Sequence, residues 1–119
     1  MLAVIFEVQA GPDQQQAYLD LAAGLTPLLN GRDGFIGIER FQSLTNPGKV
    51  LSLSFWRDEA AIAAWRQQEA HRHAQAAGRS HLFIDYRLRI ARVLRDYGMQ
   101  HRQQAPLDSL LAHRSEPLA

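Results

Sequence analysis

The sequence predicts an α+β fold, one four-stranded sheet with helices on a single face. Three observations carry that prediction. β-Branched and aromatic runs recur at 2–9, 35–44, 49–56 and 83–96, each bounded by turn residues. Between the first two runs, Tyr18, Leu21, Ala22, Leu25, Leu28 and Leu29 recur at the three-and-four spacing of a helical face. The elements then fall in the order strand, helix, strand, strand, helix, strand, which is the split βαβ, or ferredoxin-like βαββαβ, arrangement.

Each element has its own punctuation. The first strand stops at Gly11-Pro12, and Asp13 with Gln16 three residues on predicts a capped helix start. Pro27 removes one backbone donor and predicts a kink or restart near Gly24, and Asn30-Gly31 ends the helix. FIGIERFQSL follows Asp33-Gly34, and Thr45-Asn46-Pro47-Gly48 joins it to KVLSLSFW as a hairpin. Asp58 caps a helix carrying Ala61, Ile62 and Trp65, and Gln67-Gln68 predicts a break before a second short helix stopped by Gly78. In the last strand Tyr86, Leu88 and Ile90 alternate with Arg87 and Arg89. Residues 103–119, with two prolines and a Leu107, Leu110, Leu111 cluster, read as a tail that is a short docked helix or a frayed end.

The bulk numbers bound the function. With 119 residues, 46% hydrophobic and 21% charged, the chain suits a single globular domain. The absence of cysteine excludes a disulfide framework, a thiolate metal site and a cysteine nucleophile, and fits a reducing compartment. MLAVIFEVQAG is too short an apolar run to span a membrane and lacks a signal peptide's basic start, so a cytoplasmic protein with no membrane partner is expected. Residues 57–102 hold nine Arg against five acidic groups, but a net charge of +1 predicts a solvated, ion-paired face and no nucleic-acid partner.

Both faces of the sheet are largely apolar. Val4, Phe6 and Val8 oppose Ala3 and Ile5 on the first strand, and Leu51, Leu53 and Phe55 oppose Val50 and Trp56 on the third. Helices cover one face only, and a bare apolar face marks an interface, so a homodimer through the sheet face is expected.

Several stretches then carry a resemblance. Asp33-Gly34-Phe35, Ser54-Phe55-Trp56, Ala64-Trp65-Arg66, Glu69-Ala70-His71-Arg72 and Ala77-Gly78-Arg79 together resemble the antibiotic biosynthesis monooxygenase (ABM) domain family, over about residues 1–102. Asp85-Tyr86-Arg87 and Asp96-Tyr97-Gly98-Met99 look like an uncharacterised subgroup of it. The resemblance implies a dimeric α+β barrel with a pocket in each subunit between helices and sheet. Some members oxidise polycyclic phenols or hydroquinones with molecular oxygen and no metal or flavin, and others break down haem. The haem branch looks for an Asn on the first strand and a His ten residues after a helical Trp. Here Trp65 fits, but position 75 is Gln and the first strand offers Glu7.

Cofactor-free oxygenation needs an electron-rich substrate, a base, a dry pocket and a donor for the anion. His71 is the candidate base, occupying the family's Glu-x-His-Arg signpost. His73 points about 200° away around a helix, His81 precedes the last strand, and His101 and His113 read as surface residues. Trp56 and Trp65 are candidate walls for a small aromatic or hydrophobic ligand. Arg40, Arg79 and Tyr86 are candidate holders of an anionic oxygen. Ser52 and Ser54 alternate with the leucines and are placed to face the cavity, but no Gly-x-Ser-x-Gly elbow is present. His71-x-His73 alone predicts no metal site. The expected function is a cofactor-independent monooxygenase of a small phenolic or quinol-type aromatic. The alternative is a non-catalytic dimeric small-ligand-binding or interaction module.

Overall fold

A computed structural model describes residues 1–77 and 81–113 of the chain. Gly78 and Arg79, expected to stop the second helical segment and to hold an anion, lie outside the described residues, as does the end of the tail. The elements run β1 (Leu2–Ala10), α1 (Gln15–Leu29), β2 (Phe35–Gln42), β3 (Lys49–Trp56), α2 (Glu59–Arg66), α3 (Glu69–Ala77), β4 (Phe83–Arg92) and α4 (Leu107–His113). The strands form one antiparallel sheet in the order β2-β3-β1-β4, so the ferredoxin-like α+β fold is the observed one. Among the described residues no helix is long and apolar enough to cross a membrane.

The side-chain period of two decides what each face of the sheet presents. Toward the helices stand Val4, Phe6 and Val8 of β1, and Val50, Ser52, Ser54 and Trp56 of β3, which share register positions: Val4 faces Ser54 and Phe6 faces Ser52. Beneath α1 and α2, Leu29, Trp56, Ala61, Ile62 and Trp65 form one buried cluster. Val8, Tyr18, Ala22 and Val50 form a second. On the opposite face Leu51, Leu53, Phe55 and Ile5 lie in one patch, bordered by Glu39, Glu7, Arg87 and Arg89. Glu7 pairs there with Lys49 at 3.2 Å and Arg89 at 3.4 Å, and both cations hold its carboxyl below the usual range.

Local chemistry sets the boundaries. Asp58 caps α2 as expected, its carboxylate accepting the Ala61 N–H at 2.9 Å. At α1 the expectation fails. Asp13 adopts a left-handed φ of 60° in the turn before the helix, and Gln14 stands at the N-cap without a side-chain bond. Pro27 lies inside a helix that continues to Leu29, so the expected restart is absent. Proline at this position costs one intrahelical bond, and the Asn30 N–H still reaches the Thr26 carbonyl at 3.3 Å. Gly31 then takes φ 83°, a conformation that favours glycine. Gly34 is needed twice over: its φ is +82°, and a Cβ would lie 2.5 Å from the Ala61 Cβ, which seats the start of β2 against α2.

β4 is shorter than its alternating pattern. Its partner β1 begins at Leu2, opposite Arg92, and after one further bond from the Val93 N–H to the Met1 carbonyl the chain has no strand to pair with. In the tail Leu107–His113 form α4, with Leu107 and Leu111 70% and 52% exposed.

Candidate functional site

Between the sheet and the helices lies a cavity of about 200 Å³, lined by residues of both buried clusters. β1 gives it Val4 and Phe6, and β3 gives Ser52, Ser54 and Trp56. α1 contributes Tyr18, Leu21, Ala22, Leu25 and Leu29, the helical face read from the sequence. Leu28, assigned to the same face, is 41% exposed, because at 100° per residue it falls about 80° off the Tyr18 direction. Leu88 and Ile90 of β4 complete an apolar wall.

Of the residues singled out from the sequence, Trp56, Trp65, His71 and Arg40 all line this one cavity. Trp56 is 2% exposed, and its indole N–H donates to Ser54 Oγ at 2.9 Å. That bond satisfies the one polar atom of the indole and fixes the ring as a wall. Trp65 meets the His71 ring edge to face at 4.7 Å. The Gln67-Gln68 break places that histidine: Gln68 Oε1 accepts the His71 N–H at 2.9 Å and so begins α3. Nδ1 of His71 is buried and has no hydrogen-bond partner. Burial lowers its pKa from 6.5 to about 4, so the imidazole is neutral at pH 7. In the tautomer protonated on Nε2, Nδ1 carries a free lone pair.

Arg40 rises from β2 and is held only loosely. Its Nη2 donates to the Ala22 carbonyl at 3.4 Å and its Nη1 to Thr26 Oγ1 at 3.5 Å, while Nε is buried without a partner. Beside it Tyr18 is buried, which pushes the phenol above its ordinary value against the charge of Arg40 and a hydrogen bond with its side chain.

The other candidates fall elsewhere. Tyr86 shares the helix-side face with Leu88 and Ile90 but is 46% exposed, stacked edge-on against Phe6 at 5.8 Å, and does not line the cavity. His73 borders a surface groove with Asp20 and Gly24, and neither it nor His81 lines the main cavity. Two polar lining residues went unassigned in the sequence, Arg66 and Tyr18. Tyr18 stood on the apolar stripe of α1 and was legible there as core. Arg66 belongs to the Ala64-Trp65-Arg66 stretch that carries the family resemblance, but nothing in that stretch gives it a role distinct from a solvated arginine's. Gln75 also lines the cavity, at the position where the haem branch has its histidine. A neutral amide there is a poor substitute for imidazole on iron.

The fold and cavity define a class: a ferredoxin-like α+β protein with a small apolar pocket holding a neutral histidine and an arginine that has no carboxylate partner among the described residues. The chain belongs to the antibiotic biosynthesis monooxygenase family, whose sequence profile matches residues 1–77. Over 93 residues it is 47% identical to a Pyricularia oryzae protein named jasmonate monooxygenase ABM, spanning 78% of this chain but only 43% of that protein. It is 30% identical over 91 residues to the uncharacterised Bacillus subtilis protein YqjZ, spanning 76% of this chain and 77% of YqjZ. The crystal structure of Rv0793 from Mycobacterium tuberculosis has the same fold, with a TM-score of 0.74 at 18% identity over 82% of this chain and 98% of Rv0793.

Proposed function

We propose that the protein is a cofactor-independent monooxygenase of a small, largely apolar substrate with an acidic O–H, a phenol or quinol. The observation that carries this reading is the unpartnered Nδ1 of His71, buried against Trp65 in an apolar cavity. The cavity of about 200 Å³ suits a single ring or a compact bicycle, since about 150 Å³ is enough for benzene. The Pyricularia oryzae relative's name supports the reaction type, and jasmonate belongs among the compounds tested.

In this mechanism His71 takes the phenolic proton and the phenolate gives one electron to oxygen. The radical pair joins at a ring carbon, and the imidazolium protonates the resulting peroxide. The ring C–H proton then leaves as the O–O bond breaks, so that phenol and oxygen become quinone and water. The reducing electrons come from the substrate, and the protein supplies the base, the water-poor pocket and the positive charge of Arg40 and Arg66. The imidazole is a weak base at rest, but an anion formed beside it raises its pKa during the step.

The test is oxygen uptake by metal-stripped protein offered small phenols, hydroquinones and jasmonate. Uptake above autoxidation that is lost in His71→Ala supports both enzyme and base. Uptake retained in the variant removes His71 from the mechanism. No uptake with any compound points to the ligand-binding alternative.

The proposal includes a homodimer formed through the helix-free face. Its patch of Phe55, Leu53, Leu51 and Ile5 is apolar at the centre, and its margins carry Glu39 on one side and Arg87 and Arg89 on the other. Opposite charges on opposite margins suit a twofold interface.

A further inference from the structure

We infer that the substrate is a carboxylic acid, anchored at Arg40 by a carboxylate that takes no part in the reaction. This rests on the pocket assignment above and adds a second, permanent recognition group to it. Among the described residues, no Asp or Glu lines the cavity and no ion pair includes Arg40. A guanidinium in such surroundings is ordinarily paired, because an unmatched buried donor forfeits its solvation. Here Nε has no acceptor, and the two bonds to α1, at 3.4 and 3.5 Å, are at the long limit for N–H donors. The arginine is therefore placed but not satisfied.

The shape of the vacant donors indicates the ligand. A planar guanidinium with free N–H groups matches a carboxylate through two parallel bonds, better than the single oxygen of a phenolate. The buried, protonated Tyr18 hydroxyl, which itself interacts with the Arg40 guanidinium, and the Ser52 hydroxyl line the cavity too, and Ser52 stands directly across the strand pair from Arg40. Arg40 enters from edge strand β2 and leans on α1, whereas His71 descends from α3 and leans on Trp65. The two polar groups thus belong to different walls, which fits a compact acid with its carboxylate at one end and its reacting ring at the other. Charge supports the same assignment: two arginines line the pocket, one for the permanent carboxylate and one for the anion that forms during turnover.

The experiment compares small aryl acids with their methyl esters and amides, 4-hydroxyphenylacetate among them, by tryptophan fluorescence and calorimetry at pH 7. In the wild type the acid of at least one pair should bind about tenfold more tightly than its neutral analogues. The preference should vanish in Arg40→Met and persist in part in Arg40→Lys. Equal binding of every acid and its ester by the wild-type protein overturns the inference without recourse to any variant. So does an acid preference that Arg40→Met leaves intact. An acid preference without oxygen uptake keeps the anchor and removes the monooxygenase reading. Oxygen uptake on neutral phenols with no acid preference does the reverse.

Discussion

Lowering the pH from 7 to 4 should destabilise the protein through His71, by an amount that can be worked from its surroundings. The ring is pushed to a pKa of about 4 by burial, against 6.5 in an open chain. Between those values the unfolded chain binds a proton that the folded protein refuses, so stability falls as pH falls. It is fully present above 6.5 and lost on descending through about 4. At about 1.4 kcal/mol per pH unit, a fully covered ring would lose a little over 3 kcal/mol across that window. The His71 ring is only partly covered, so solvent screening reduces this to about 1.5 kcal/mol. Urea denaturation at fixed protein concentration, at pH 7, 6, 5 and 4, should show wild type losing about that much more than His71→Gln. Glu7, Asp33 and Asp58, whose pKa values are lowered, lose their contributions only in more acid solution, and they do so equally in both proteins. Parallel stability profiles for the two proteins would refute the reasoning. So would a His71 proton resonance titrating near 6.5.

Ser54→Ala should cost about 1–3 kcal/mol in chemical denaturation, because it leaves the buried Trp56 indole N–H without its acceptor. A loss below about 0.5 kcal/mol would mean that the bond does not hold the wall. The chain of 13.4 kDa should scatter light as a particle of twice that mass at micromolar concentration, and Phe55→Glu should return it to the single-chain mass. A single-chain mass for the wild type removes the sheet-to-sheet interface.

Periodicity made the elements legible, but it could not report what lies at their ends or between them. β3 runs from Lys49 to Trp56 as read, because turn residues bracket it on one side and a capping aspartate follows on the other. β4 could not be bounded in this way. Its alternation continues past Arg92, but a strand ends where its partner ends, and β1 begins at Leu2. Asp13 has the right chemistry for a helix cap and stands one residue too early, in a backbone conformation that the sequence does not announce. The site divides along the same line. Phase along a strand fixes the face of a side chain, so Tyr86, Leu88 and Ile90 were correctly grouped. Phase does not fix distance from the cavity, and only Leu88 and Ile90 line it. Arg40 shows the limit most plainly. A lone arginine on an alternating strand reads equally well as a rim cation or as an ion-pair partner. What sets it apart is that no carboxylate among the described residues lines the cavity it enters, and that depends on side chains contributed by every wall at once.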